Sequence, residues 1–195
     1  MMDGEVPKPN PGLAPWLTAA AALILFAFSS TRLIVPEVSA GYVADALRLT
    51  PFPTMDRPLW AALVRLLAGG LPAQSALIAN ALSVLLGALA VGLMARLVAR
   101  SAVERFARPL PGLATLAGVV AGLVLATSAP FWLAGNRAHP ATLGIVLWLA
   151  ALNGMQDYSR RGRLGWLLAA GLAFSAGLAE WPALLLLAPV VAVQM

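Results

Sequence analysis

Five hydrophobic blocks, separated by segments that contain most of the arginines, dominate this 195-residue chain. A backbone in hydrocarbon must satisfy its own hydrogen bonds, so apolar runs of about 20 residues are typical of membrane-spanning helices. Hydrophobic residues make up 61% of the chain and charged residues 11%, which leaves too little polar surface for a soluble globule. The sequence therefore predicts an all-α integral membrane protein. The blocks are residues 17–35, 77–94, 113–133, 142–152 and 166–193.

The fifth block is too long for one perpendicular span, and Glu180-Trp181-Pro182 interrupts it. Proline has no amide hydrogen and suits the first turn of a helix, so Pro182 is expected to begin another helix after a tight turn. A polytopic bundle of about six spans is therefore predicted for residues 16–195. Residue 195 lies within an apolar run, so we expect the chain to be the N-terminal part of a longer protein.

Arginines are densest at 96–108 and 160–163, which predicts that these two segments face the cytoplasm. The N-terminal tail, residues 1–15, is then cytoplasmic as well, and the long loop 36–75 is external. The chain is expected in the cell (inner) membrane as a multi-pass protein. Its net charge of +5 reflects this topology, so nucleic acid is not an expected partner.

The external loop 36–75 contains two apolar segments on either side of the proline-rich sequence 51–58. We expect two short helices lying at the membrane surface, with Trp60 at the interface and the Arg65 guanidinium reaching water. This arrangement would bring Glu37, Asp45, Asp56 and Arg57 to the membrane boundary.

Several short motifs occur in a characteristic order along the chain. They are the amphipathic segment 42–49, Pro-Thr-Met-Asp-Arg-Pro-Leu-Trp at 53–60, the Asn-, Leu- and Gly-containing segment 78–90, Ser-Ala-Pro-Phe-Trp at 128–132 followed by Thr142-Leu143, and the hairpin segments 177–179 and 184–189. Together they resemble the N-terminal half of the GT-C class of polytopic glycosyltransferases. The resemblance is closest to the bacterial multi-pass family described as protein O-mannosyltransferase-like, and it covers nearly the whole chain.

The chain departs from that family at three polar positions. The acidic stretch after the first span, commonly Gly-Asp-Ser-Gly-Glu, is here Glu37-Val-Ser-Ala-Gly. His139 and Ala141 stand where the family often has a glutamate and a tyrosine. Glu180-Trp181 replaces a polar turn of the Asn-His type.

The resemblance implies transfer of a sugar from a polyprenyl-phosphate carrier to a protein or glycan acceptor at the external face. Such a step needs a carboxylate to take the acceptor's proton, and Glu37, then Asp56, are the candidate catalytic residues. The phosphate leaving group needs cations and hydrogen-bond donors. The candidate substrate-binding residues are Arg57, Arg137, His139 and Glu180. No cofactor is expected, and although a divalent metal is compatible with the chemistry, no ligand cluster indicates one.

A second interpretation is a non-catalytic polytopic protein, either a transporter fragment or a scaffold for envelope assembly. In that case the charged side chains mark the membrane boundary, Glu180 caps the helix beginning at Pro182, and His139 caps a helix or lies at the interface. Convergence of Glu37, Asp56, Arg137 and Glu180 on one outward-facing cavity would favour the transferase. Gly118 and Gly122 permit close helix packing but specify no oligomeric state.

Overall fold

The computed structural model describes residues 12–30, 38–50, 57–105 and 111–183, and every regular element in these ranges is helical. The predicted all-α fold is therefore confirmed for this part of the chain. The α-helices are α1 (Ala14–Ser29), α2 (Val38–Ala46), α3 (Pro58–Ala68), α4 (Ser75–Arg105), α5 (Pro111–Thr127), α6 (Ala129–Gly135), α7 (Ala141–Arg161) and α8 (Leu164–Glu180), with a short 3-10 turn at Pro72–Gln74.

Helix α4 is the centre of the bundle. Helices α1, α5 and α7 pack around it, and α8 packs against α7. Small residues allow this close approach: a Cβ atom on Gly118 would lie 2.8 Å from the Ala99 Cβ and would also clash with the Ala95 carbonyl oxygen. The close packing predicted for Gly118 and Gly122 is therefore present, between α5 and α4.

One described helix segment, Ser75–Val103, is long and apolar enough to cross a bilayer unaided. Helices α5 and α6 make up the third hydrophobic block, which we expected to be a single span, but they are bent by 74° with Ser128 at the break. Pro130, in the first turn of α6, supplies the physical reason, because proline cannot continue the hydrogen-bond ladder of α5. Counted as one broken span, the pair would be the second in the described residues.

Helices α4 and α7 extend further than the hydrophobic blocks that predicted them. The second block ended at residue 94 and the fourth at 152, whereas α4 continues to Arg105 and α7 to Arg161. Arg96 and Arg100, expected in a loop, instead lie on the last turns of α4 and form ion pairs with Asp157 of α7. The ion pairs compensate the charges, so hydrophobicity alone underestimates both helices.

The two short helices predicted in the loop 36–75 are present as α2 and α3. Trp60 was expected at the membrane interface, but it is only 1% exposed and belongs to a second apolar core with Val43, Val64 and Leu143. The Arg65 guanidinium is also engaged, since its Nε donates a hydrogen bond to the Ala46 carbonyl oxygen at 3.0 Å. This second core supports the polar residues described below.

Candidate functional site

Five side chains from distant parts of the sequence meet beside the second apolar core. We define the polar cluster as Tyr42, Arg57, His139, Glu180 and Trp181. The Tyr42 and His139 rings are in edge contact at 5.2 Å, and the Arg57 guanidinium lies 5.2 Å from the centre of the Trp181 ring. Helix α2, the start of α3, the loop between α6 and α7, and the end of α8 each contribute to it.

Glu180 is completely buried and caps the N-terminus of α3. Its Oε2 accepts hydrogen bonds from the backbone N–H groups of Leu59, at 2.9 Å, and Trp60, at 3.3 Å. These amides belong to the first turn, where no intrahelical carbonyl is available, and the positive end of the helix dipole favours an anion there. The cap proposed from the sequence was for a helix beginning at Pro182, but residues 184–195 lie outside the described part of the chain.

Arg57 is held by the same end of α8. One guanidinium nitrogen donates a hydrogen bond to the Glu180 carbonyl oxygen at 2.7 Å, and the guanidinium stacks on Trp181. Trp181 in turn contacts α7, where a Cβ atom on Gly144 would lie 3.2 Å from its ring. The guanidinium has five N–H donors, so a group fixed in this way still has donors available for an anion.

His139 lies in a loop that is anchored to α4. The backbone N–H group of His139 donates a hydrogen bond to the Ser83 Oγ at 3.0 Å. The backbone N–H group of Ala138 donates one to the Asn80 Oδ1 at 2.6 Å. The imidazole Nδ1 accepts the Ala141 N–H at 3.1 Å, which leaves the ring proton on Nε2. Burial, and secondly the Arg57 charge, lower the pKa of His139, so the neutral ring is favoured.

Asn80 holds this loop against α4, because its Oδ1 accepts the Ala138 N–H. The capping role considered for His139 is also present, because the imidazole accepts the first amide of α7. The contact of His139 is local, whereas that of Asn80 joins residues 58 positions apart and depends on how the loop meets α4.

Three of the four predicted substrate-binding residues, Arg57, His139 and Glu180, lie in the polar cluster. The fourth, Arg137, is two residues from His139, and no described contact joins it to the cluster. Its Nε atom is buried and has no hydrogen-bond partner among the described residues. The cluster also contains Tyr42 and Trp181, which the sequence did not single out as site residues.

The two candidate catalytic carboxylates, Glu37 and Asp56, lie outside the described residues. Each is next to an element of the cluster in sequence: Glu37 immediately precedes α2, and Asp56 immediately precedes Arg57. Within the described ranges, no group of three or more histidine and acidic side chains is arranged to hold a metal ion.

A second charged group, at the opposite end of α7, was also missed. Asp157 is 1% exposed and binds Arg96 at 2.9 Å and Arg100 at 3.0 Å. The sequence contains one indication of this group. Asp157 lies four residues before Arg161, and this spacing places both side chains on one face of a helix. The arginines had been interpreted only as markers of topology.

A family model described as Protein O-mannosyl-transferase TMEM260 N-terminal domain matches residues 53–195. The match includes Arg57, His139, Glu180 and Trp181 of the polar cluster, and Tyr42 precedes it. No curated protein and no solved structure matches the chain.

Proposed function

This chain belongs to the family of the Protein O-mannosyl-transferase TMEM260 N-terminal domain, and from that membership we propose that it takes part in sugar transfer from a polyprenyl-phosphate-linked donor to a protein or glycan acceptor. A glycosyltransferase-like role follows from the family. We further propose that the donor is lipid-linked, that transfer takes place at the external face, and that the chain is of the GT-C type.

The observation that carries the proposal is the fixed position of Arg57. Cleavage of a sugar–phosphate bond develops negative charge on the departing lipid phosphate, and a preorganised guanidinium stabilises that charge. The Glu180 carbonyl oxygen and the Trp181 ring hold the guanidinium from two sides. Because its orientation is set before substrate binds, little reorganisation is needed in the transition state.

His139 suits the same anion as a neutral hydrogen-bond donor. Its Nδ1 is occupied by the Ala141 N–H, so the Nε2–H group is the one that can donate to a phosphate or sugar oxygen. Burial, and secondly the Arg57 charge, lower the pKa of His139 and so keep the ring neutral.

In the proposed reaction the acceptor hydroxyl oxygen attacks the anomeric carbon, and the bond between that carbon and the phosphate oxygen breaks. The acceptor's proton passes to a carboxylate, and the phosphate leaves with the electron pair of the broken bond. Glu37 is the first candidate for this base and Asp56 the second. Arg137 is proposed to contact the donor phosphate or its sugar.

Membrane embedding is supported by apolar side chains that face outward on several helices. On α8, Leu164, Leu168 and Leu172 are 67%, 69% and 73% exposed and recur every four residues, so they form one continuous face. Similar exposed residues occur on α1 and α5; they are Leu17, Ile24, Phe28, Leu113, Leu116, Val120 and Val124. Such surfaces are costly in water, and we propose that they face lipid in a multi-pass bundle.

The test is a transfer assay on membranes containing the full-length protein and a labelled polyprenyl-phosphate sugar. Glu37→Gln, Asp56→Asn and Arg57→Gln are compared with Arg48→Gln, a matched control at an exposed arginine outside the cluster. We expect Arg57→Gln and one of the two carboxylate variants to lose about 100-fold or more in transfer rate. Full activity in both carboxylate variants would eliminate the proposed base.

The alternative is a non-catalytic scaffold. The same contacts favour it if their role is only to join helices. Arg57 and Glu180 join the start of α3 to the end of α8, which is useful without any chemistry. The two functions differ in what Arg57→Gln does. A scaffold predicts a lower melting temperature in this variant and no sugar transfer by either protein, whereas the transferase predicts transfer by the wild type and its loss in a variant that remains folded.

A further inference from the structure

The end of the bundle formed by the last turns of α4 and α7 and the start of α8 concentrates the positive charge of the molecule. The described residues 96–105 and 157–163 together contain six arginines and two acidic residues. Their net charge of +4 is most of the net charge of +5 of the whole chain. We propose that this end binds the phosphate headgroup of an anionic phospholipid of the surrounding bilayer.

In the buried part of this site the guanidinium groups are paired with one carboxylate, that of Asp157. Both oxygens of Asp157 are occupied, Oδ2 by Arg96 and Oδ1 by Arg100, and the Arg161 Nε lies 3.9 Å from Oδ1. A single carboxylate therefore faces three guanidinium groups. The Arg100 side chain is 6% exposed, and its Nε atom has no hydrogen-bond partner among the described residues.

The accessible part of the site is the turn between α7 and α8. Gly162 ends α7 with a positive φ of 64°, and exposed Arg161 and Arg163 flank it. The Arg161 guanidinium lies 5.6 Å from the centre of the Trp166 ring, which limits its range of orientations. Helix α8 begins here without a side-chain cap, so its first amides add partial positive charge.

The neighbouring surface identifies the ligand as a lipid and not a soluble phosphate. Leu164 and Leu168 continue from the arginines along α8 and are among the most exposed leucines. A phospholipid would satisfy both surfaces, with its headgroup phosphate against the guanidinium groups and an acyl chain along the leucines. Trp166 beside Arg161 matches the residue types found at the headgroup level. The inference rests on the membrane placement proposed above, but not on sugar transfer.

The experiment measures lipid retention on the purified full-length protein by native mass spectrometry. Phosphatidylglycerol, phosphatidylcholine and a polyprenyl phosphate are titrated separately. We expect phosphatidylglycerol to bind more tightly than phosphatidylcholine, and Arg161→Gln/Arg163→Gln to weaken its binding about 10- to 30-fold. Arg161→Lys/Arg163→Lys should retain most of the affinity, and Arg48→Gln, the loss of one exposed arginine elsewhere, should leave it unchanged.

Equal binding of the anionic and zwitterionic phospholipids by the wild type would overturn the inference. So would an equal loss of affinity in Arg48→Gln, or a preference for polyprenyl phosphate over phosphatidylglycerol. All the substituted arginines are exposed, and circular dichroism is used to verify that each variant is folded. A protein without transfer activity that still prefers phosphatidylglycerol would contradict the proposed function and leave this inference intact.

Discussion

At the scale of single residues, the Glu180 carboxylate combines complete burial with a defined structural task. Glu180→Ala removes the acceptor for the Leu59 and Trp60 amides and leaves both without a partner. We expect the free energy of unfolding to fall by about 2–4 kcal/mol, from the lost cap and the unsatisfied donors. Glu180→Gln keeps an oxygen at this position and should cost roughly half as much. Denaturant unfolding in detergent measures both, and equal losses would contradict the capping role.

His139 should make stability depend on pH. Because its pKa is lowered from 6.5 by burial and by Arg57, the unfolded chain binds a proton that the folded chain does not at pH values between the lowered pKa and 6.5. The free energy of unfolding therefore decreases as the pH falls through this window. Melting curves from about pH 7.5 to about 5.5 are expected to shift downward in the wild type and less in His139→Gln. His139 is the only histidine, so parallel shifts in the two proteins would exclude this contribution.

The sequence indicated which residues to examine at this scale but not what they contact. The need of a phosphate leaving group for cations selected Arg57, and Glu180 was selected as a carboxylate that interrupts an apolar block. Their partners lie more than 100 residues away, so no local pattern encodes the contact. Asp157 was missed because its compensation by two arginines is a tertiary property.

At the scale of elements, Asp157 joins α7 to α4. Asp157→Asn leaves Arg100 buried without its ionic partner, so we expect a loss of about 3–5 kcal/mol in the free energy of unfolding. Arg161→Gln is the matched control, because this guanidinium is half exposed and 3.9 Å from the carboxylate. It should cost less than about 1 kcal/mol. Equal effects in denaturant unfolding would show that the buried pair does not hold the two helices together.

The contact between α4 and α5 depends on the absence of a side chain at Gly118. Gly118→Ala places a methyl group against the Ala95 carbonyl oxygen and the Ala99 side chain, and should destabilise the protein by about 1–3 kcal/mol. Gly171→Ala, in the interior of α8, meets nothing within 4 Å. It should instead stabilise by about 0.5–1 kcal/mol, because alanine favours the helix. We expect the melting temperature to fall in Gly118→Ala and to rise in Gly171→Ala.

Short elements were easier to predict than the ends of long ones. Proline residues mark the break between the two short helices of the first loop, and α3 begins at Pro58, the last of them. Hydrophobicity located the centres of α4 and α7 but not their ends, since paired charges extend both helices beyond the apolar run. The bend between α5 and α6 was hidden because the apolar sequence continues through it.

At the scale of the whole molecule, the predicted topology can be tested by cysteine labelling, since the chain contains no cysteine of its own. Arg48→Cys lies after α2 in the predicted external loop, and Arg163→Cys lies between α7 and α8 on the predicted cytoplasmic side. Both positions are exposed in the structure. A membrane-impermeant maleimide should label the first in intact cells and the second only in inverted vesicles. Labelling of both from the same side would contradict the predicted topology.

Composition was sufficient to predict an all-helical chain, because so apolar a sequence must satisfy its backbone internally. The number of crossings is a finer property. A length criterion finds one unaided span and one bent pair in the described residues, while α1 and α8 are shorter apolar helices. Whether such helices cross the bilayer depends on their neighbours and on the local bilayer thickness, which a single sequence does not specify.

The cap on α3 has a consequence for biogenesis. Chains emerge from the ribosome N-terminus first, and Glu180 is synthesised 121 residues after Leu59. The Glu180 carboxylate accepts the hydrogen bond from the Leu59 N–H group. The first loop must therefore wait, with the opening turn of α3 uncapped, until the last described helix has been made and delivered. Maturation of this region is consequently a late event, and any quality-control machinery that senses exposed amides would find them here until translation has passed α8.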